Sequence, residues 1–133
     1  MFEQERIPCV LMRGGTSKAV FLLENDLPSD PQRRDRVILS IFGSPDSRQI
    51  DGLGGADPLT SKLAIIGPSG RPDADVNYTF GQVDIRTPFV DYSSNCGNIS
   101  SAVGPFAIAQ GLVKAVEPVT VVRIYNTNTH SVF

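Results

Sequence analysis

The chain has 133 residues, of which 41% are apolar and 20% charged, and its formal net charge is −2. This length predicts one domain, and the balance of residues is typical of a globular protein rather than a disordered chain or a coiled coil. The slight excess of acidic residues and the scattered basic ones argue against a nucleic-acid surface.

The amino terminus and the cysteine count exclude further classes. The first residues, MFEQERIPC, include acids and no long apolar stretch, so we expect neither a signal peptide nor a membrane span. We therefore expect a cytoplasmic protein in which Cys9 and Cys96 remain thiols. One histidine, His130, and two widely separated cysteines give no zinc or iron–sulfur spacing, so no metal is predicted.

The first half of the chain predicts a hairpin, a helix and a long loop. The apolar runs IPCVLM, residues 7–12, and AVFLL, residues 19–23, predict two strands, with RGGTSK between them as a wide polar turn. The next segment predicts a helix with Ser29 as N-cap, Pro31 in its first turn and Gly43 at its end. Residues 44–61 have no usable period, and so long a loop in a compact domain is usually functional.

The second half predicts three strands and one apolar helix. The strands are KLAIIG, ADVNYTFGQVDI and VTVVRIY, at residues 62–67, 74–85 and 119–125. Residues 97–113 are small or apolar on nearly every side, which predicts a helix buried all round, with Pro105 at a kink or near its first turn. The elements together predict an α+β fold in which a sheet surrounds one helix.

Cys96 lies where this apolar helix is predicted to begin. Unpaired N–H groups and the helix dipole would stabilise a thiolate there or bind a carboxylate, and Gly97 would let the backbone approach a ligand. An isolated cysteine is more often a buried apolar residue, with Asn95 as a simple helix cap. The small polar neighbours favour a functional thiol.

Two glycine-containing loops supply further polar groups. RGGTSK would suit an anion, although most such loops bind nothing and this one lacks the spacing of a phosphate-binding loop. DGLGGADPLTSK brings Lys62 to the start of an apolar strand; such a lysine is usually solvated, but against an apolar wall it can serve as a base. A thiol, an amine and no cofactor motif suggest cofactor-independent proton transfer on an anionic substrate.

Four segments resemble the PrpF-type isomerases of the diaminopimelate epimerase-like superfamily. They are LMRGGTSKAVFL, DGLGGADPLTSKLAIIG, SSNCGNISSAVGPFAI and VRIYNTNT, in the family's order over essentially the whole chain. The resemblance implies cofactor-independent isomerisation of unsaturated di- and tricarboxylic acids such as methylaconitate, aconitate, methylitaconate or oxalomesaconate. It also implies two similar domains, each a curled mixed sheet around a central helix, with the active site between them.

The resemblance assigns site residues as well. It implies that Lys62 and Cys96 are catalytic, with the roles of base and acid left open, and that Cys9 lies in the core. Ala19 stands where the family usually has glycine. The residues implied to hold the substrate carboxylates are Thr16, Ser17, Asn95, Gly97, Asn98 and Ser100.

Residues 1–133 are expected to form the N-terminal domain, truncated, of such a two-domain isomerase. We expect the chain alone to be inactive or nearly so, because half a cleft neither excludes water nor orients both carboxylates. A complementary C-terminal chain or self-association would complete the cleft. The alternatives are a non-catalytic module that binds a small carboxylate or another chain, and racemase chemistry, which needs a second cysteine facing Cys96.

Overall fold

In a computed structural model, which describes residues 4–133, one mixed sheet of seven strands carries a helix on each face. The helices are α1 (Pro31–Phe42) and α2 (Gly97–Ala109). The strands are β1 (Val10–Gly14), β2 (Ser17–Leu23), β3 (Lys62–Pro68), β4 (Val76–Val83), β5 (Val90–Asp91), β6 (Ile124–Asn126) and β7 (Ser131–Val132).

The strand order is β1-β2-β3-β4-β6-β7, and β5 pairs with β4 on the edge that β6 also uses. The β2–β3 and β4–β6 pairs are parallel and the remaining pairs are antiparallel. The sheet does not close on itself. The predicted α+β class with a mixed sheet is confirmed.

The apolar runs of β2 and β3 are continuous because both faces of these strands are buried. On one face Val20, Leu22, Leu63 and Ile65 pack against α1, and on the other Ala19, Phe21, Ala64 and Ile66 pack against α2. The two apolar cores therefore lie on opposite sides of one sheet. Strands β2 and β3 therefore form the centre of the domain.

Helix α1 agrees with its prediction except at its first residue. The N-cap is Asp30, not Ser29, because the Asp30 carboxylate accepts from the Arg33 N–H at 3.0 Å. Gly43 ends the helix with a φ of 79°, which favours glycine.

The predicted hairpin is present, but its wide turn is wrong. Gly14 pairs directly with Ser17, so β1 and β2 are joined by only Gly15 and Thr16. Arg13 and Lys18 pair across the ladder rather than lying in the turn, and Gly15 supports the tight connection with a φ of 53°. Cys9 precedes β1 and is exposed, so its expected place in the core is also wrong.

Helix α2 is not buried all round, contrary to the prediction. Ser101, Pro105 and Ala109 are exposed, and the helix ends at Ala109 rather than continuing to residue 113. Pro105 lies inside the helix on this exposed side. Alanine, glycine and proline on an exposed surface look like core residues in the sequence, which explains the error.

The third predicted strand, residues 119–125, is mostly irregular. Only its last two residues belong to β6, because β6 pairs with β4 over three residues. Val119 and Val121 are 69% and 74% exposed, so their alternation with polar residues does not reflect burial. No helix among residues 4–133 is both long enough and apolar enough to cross a membrane.

Candidate active site

The tight β1–β2 turn contacts the start of α2. A side chain at Gly14 would overlap the carbonyl oxygen of Asn98, and one at Gly15 would overlap the Asn98 side chain. Asn98 Nδ2 donates to Thr16 Oγ1 at 3.1 Å. Glycine is therefore needed in this hairpin because the turn lies directly against the helix start.

Three elements meet at the thiol of Cys96. Cys96 is the N-cap of α2, Ser17 begins β2 and Lys62 begins β3. Lys62 Nζ lies 3.4 Å from Cys96 Sγ, and Ser17 Oγ lies 3.9 Å from it. Cys96 is 8% exposed, so the thiol is enclosed by these neighbours.

The sheet register positions Lys62. Parallel pairing places Lys62 beside Ala19 of β2, and antiparallel pairing places it beside Gln82 of β4. Its ammonium lies 5.4 Å from the centre of the Phe80 ring, within the range of a cation–π contact. The Phe80 ring is therefore the apolar surface against which the Lys62 ammonium lies.

Two opposing effects set the acidity of Cys96. Burial alone would raise the pKa of the Cys96 thiol, but the nearby N–H of Ile99 and the Lys62 ammonium together lower it below the ordinary value for cysteine. The Ser17 hydroxyl acts in the same direction. The thiol makes no capping hydrogen bond of normal geometry, yet the first-turn N–H groups favour its ionised form. The pair is thus suited to hold a thiolate beside an ammonium.

The residues expected to hold carboxylates fall into two groups. Ser17 is buried against the thiol, and the partly buried Ser100 donates its hydroxyl to the Cys96 carbonyl at 3.0 Å. The other four, which surround the helix start on its exposed side, are Thr16, Asn95, Gly97 and Asn98. Asn95, Gly97, Asn98 and Ser100 are neighbours of Cys96 in the sequence, and the fold brings Thr16 and Ser17 to the same helix start.

Gly97 differs from the glycines of the hairpin. A side chain there would meet nothing within 4 Å in the chain, and its φ lies outside the left-handed region. No contact of residues 4–133 therefore requires glycine at this position. A bare helix start suits the close approach of a ligand.

Gln49 supports the site, although it was not predicted from the sequence. Its side chain is fully buried inside the loop that precedes β3, and its Nε2 donates to the hydroxyls of Ser44 and Ser61, each at 2.9 Å. Its Oε1 accepts from the Ala56 N–H at 2.8 Å. Gln49 thus fixes the loop up to the residue before Lys62.

The glycines of DGLGG serve this packing. A side chain at Gly54 would overlap the Gln49 amide, and one at Gly55 would overlap the Thr60 hydroxyl. The loop is therefore compact around Gln49, which explains its glycine content without an anion. The one signal in the sequence was a glutamine in a glycine-rich segment, and that signal is weak.

Fold and site together define the class of protein: an α+β domain that brings a thiol and an amine together at a helix start. No group of three or more His, Cys, Asp or Glu side chains that could hold a metal is present among residues 4–133. Residues 4–133 match the family model described as PrpF protein, and the chain belongs to that family. The resemblance found in the sequence is confirmed.

Known proteins that are similar to this chain are named as isomerases or tautomerases. It is 70% identical over 129 residues to the 3-methylitaconate isomerase of Eubacterium barkeri, covering 97% of this chain and 34% of that protein. It is 60% identical over 126 residues to the 4-oxalomesaconate tautomerase of Pseudomonas putida, covering 95% and 35%. A crystal structure of methylitaconate-delta-isomerase matches with a TM-score of 0.95 and 70% identity, covering 97% of this chain and 33% of that one. The chain thus spans about a third of the length of these relatives.

Proposed function

We propose that residues 1–133 form the N-terminal domain of a two-domain isomerase that moves a proton and a double bond in unsaturated di- or tricarboxylic acids without a cofactor. The contact of 3.4 Å between Lys62 Nζ and Cys96 Sγ carries this proposal. An amine and a thiol so close together form an acid–base pair, and membership of the PrpF family supports the same chemistry.

The lowered pKa of Cys96 favours the thiolate as base and the Lys62 ammonium as acid. A carbon next to a carboxylate loses its proton to the thiolate, and the negative charge spreads into a dienolate. Lys62 then returns a proton at the other end of the conjugated system, so the double bond moves and no net proton is gained. Proton transfer from the thiol to the neutral amine restores the starting pair.

The helix start provides the groups that hold the carboxylates. The backbone N–H groups of Gly97 and Asn98, at the first turn of α2, would bind an anion and would also stabilise the dienolate. The bare surface at Gly97 allows a carboxylate to approach them closely. We assign substrate binding to Thr16, Ser17, Asn95, Gly97, Asn98 and Ser100.

The substrate class follows from the similar proteins. Methylitaconate and oxalomesaconate, named in two of them, are both unsaturated acids with more than one carboxylate. Methylaconitate and aconitate share this chemistry. The proposed class is therefore a small polycarboxylate in which a C–H bond lies next to a double bond.

A second domain is part of the proposal. Four of the six binding residues are exposed, so water reaches the helix start from the open side. The missing wall would be contributed by further chain, by a complementary chain or by a second copy. Residues 1–133 alone should turn over substrate slowly or not at all.

The proposed function is tested by proton–deuterium exchange. The chain is mixed with cis-aconitate, methylaconitate, methylitaconate or oxalomesaconate in D2O and followed by NMR, alone and with a second domain supplied. Lys62→Met and Cys96→Ser should abolish exchange. Two matched controls should keep the exchange. Lys18→Met changes a lysine of β2 on the sheet face opposite to that of Lys62, and Cys9→Ser changes an exposed cysteine. Exchange that survives Lys62→Met and Cys96→Ser would contradict the assignment.

The exposed helix start also favours a second candidate, a module that binds a small carboxylate without turnover. It predicts that cis-aconitate raises the thermal unfolding temperature while no deuterium enters the ligand, even with a second domain present. Stabilisation that persists in Lys62→Met without any exchange in the unaltered chain would favour this candidate.

A further inference from the structure

The NTNT segment of the sequence, Asn126 to Thr129, has no part in the chemistry described so far. It connects β6 to β7 through a turn. The Oδ1 atom of Asn126 accepts from the N–H groups of Asn128 and Thr129, each at 2.9 Å. These bonds fix the turn and hold the partly buried Asn128 beside β4.

The side chain of Asn128 takes the place of a strand residue on β4. Its Oδ1 accepts from the Phe80 N–H at 2.7 Å, and its Nδ2 donates to the Phe80 carbonyl at 2.8 Å. Phe80 lies between the stretch of β4 paired with β6, residues 76–78, and the stretch paired with β5, residues 82–83. Asn128 therefore fills the gap between β6 and β5 on one edge of β4.

The same amide group holds the segment that leads to Cys96. Asn128 Nδ2 also donates to the Tyr92 carbonyl at 2.7 Å, where the chain leaves β5. Only residues 93–95 separate Tyr92 from Cys96, and all three are exposed. Phe80, the other residue that Asn128 binds, lies beneath the ammonium of Lys62. The Asn128 side chain thus bonds to the backbone of Phe80, next to Lys62, and to the backbone of Tyr92, shortly before Cys96.

We propose that Asn128 is a positioning residue that holds Cys96 at its short distance from Lys62. It touches neither Sγ nor Nζ and acts through Tyr92 and Phe80. Without it, the exposed segment 93–95 would be tied to the domain by the short strand β5 and by the Tyr92 hydroxyl, which donates to Asp35 at 2.6 Å. The backbone next to Cys96 would lose its bond to the sheet, and the thiol could move away from the ammonium. The inference rests on the proposed function, because the pair it positions is the proposed catalytic pair.

The reactivity of the thiol tests this role without any turnover. In a Cys9→Ser background, which leaves one cysteine, the rate of alkylation by iodoacetamide is measured as a function of pH. Asn128→Ala removes the three hydrogen bonds to β4 and Tyr92 without adding charge. We expect alkylation at neutral pH to slow by at least about threefold and its pH midpoint to rise, because less thiolate is present.

Thr127→Val is the matched control. Thr127 lies in the same turn and its hydroxyl pairs with that of Thr79 at 2.6 Å, but its side chain makes no bond to the segment before Cys96. It should lower the free energy of unfolding in urea and leave the alkylation midpoint in place. A folded Asn128→Ala chain with an unchanged midpoint would overturn the positioning role.

Hydrogen exchange on the unaltered chain gives a test that requires no variant. If Asn128 couples β4 to the segment before Cys96, the amide of Phe80, which bonds to Asn128, and the amide of Ser100, which bonds to the Cys96 carbonyl, should open together, with the same dependence on urea. Separate opening of these two amides would overturn the inference, even if Asn128→Ala does not fold.

The two proposals can fail separately. If no deuterium enters any carboxylate but Asn128→Ala shifts the alkylation profile, the proposed function is wrong and the positioning role stands. If exchange proceeds through Lys62 and Cys96 while the alkylation profile of Asn128→Ala is unchanged, only the positioning role is wrong.

Discussion

The pKa of Cys96 is lowered by the Ile99 N–H in the first turn of α2 and by two neighbours that the fold brings from distant parts of the sequence. Lys62 is 34 residues away and Ser17 is 79 residues away. In the Cys9→Ser background, alkylation of Cys96 should therefore have a pH midpoint below the ordinary range of a cysteine. Lys62→Met should move this midpoint upward, whereas Lys18→Met should leave it in place. A midpoint unaffected by Lys62→Met would show that the ammonium does not stabilise the thiolate.

The same shift has a consequence for stability. The folded-state pKa of Cys96 lies below its unfolded value, so the thiolate contributes stability that is present above the unfolded pKa and is lost as the pH falls through the folded pKa. The free energy of unfolding of Cys9→Ser, relative to that of Cys9→Ser/Cys96→Ser, should therefore rise from neutral pH to above pH 9. Urea unfolding at several pH values measures this difference, and a flat difference would contradict it.

Two glycines at the site should respond in opposite ways to alanine. Gly14→Ala would push a methyl group into the backbone of Asn98 and Ile99, so the free energy of unfolding should fall by about 2 kcal/mol or more. The methyl group of Gly97→Ala meets no neighbour in the described part of the chain, and stability should be unchanged or raised by up to about 1 kcal/mol. Stabilisation of the chain by cis-aconitate should nevertheless decrease in Gly97→Ala, because its methyl group would stand where we propose that the carboxylate binds. Thermal unfolding with and without cis-aconitate measures both effects.

At the scale of single residues, the sequence predicted the groups that lie within long motifs and missed those defined by tertiary contacts. Lys62 and Cys96 could be singled out because one begins an apolar strand and the other begins an apolar helix, while their catalytic roles are implied by the family resemblance and stay a prediction. Gln49 and Asn128 could not, because their partners are backbone and hydroxyl groups that come together only in the folded chain. Cys9 was misplaced because an apolar neighbourhood in sequence does not ensure burial in space.

At the scale of elements, the loop before β3 is held from inside by a single side chain. Gln49→Ala would leave the Ala56 N–H and the hydroxyls of Ser44 and Ser61 without this partner, and it would leave a space in the loop. The free energy of unfolding should fall by about 2–4 kcal/mol. Arg48→Ala, an exposed neighbour, should change it by less than about 0.5 kcal/mol. Similar values for the two variants in urea unfolding would contradict the role assigned to Gln49.

Elements were predictable where the pattern was long and both ends were marked. Strands β2 and β3 are buried on both faces, and α1 has a capping aspartate and a terminal glycine, so their sequences determine their structure locally. Strands β5 and β7 have two residues each, too few to show a period. Residues 119–122 are rich in β-branched residues like a strand, but they form no part of the described sheet, and only the fold can reveal this.

At the scale of the whole molecule, the sheet is open and the proposed site lies at its surface. The helix α2 keeps an exposed side at Ser101, Pro105 and Ala109, and four of the six proposed binding residues around its start are also exposed. The chain spans about a third of the length of its similar proteins and matches one of them with a TM-score of 0.95. Because the chain superimposes so closely on part of that relative, we expect it to form a complete active-site cleft with the relative's remaining part.

A chimera tests this expectation directly. Residues 1–133 are joined to the remaining two thirds of the Eubacterium barkeri 3-methylitaconate isomerase in place of the matching segment. The chimera should isomerise methylitaconate, because the substituted part keeps Lys62, Cys96 and the hairpin that contacts the helix start. Lys62→Met in the chimera should remove this activity, and residues 1–133 alone should show little or none. A folded chimera without activity would mean that the site in this chain is not competent, whereas full activity of the isolated chain would mean that one wall is sufficient.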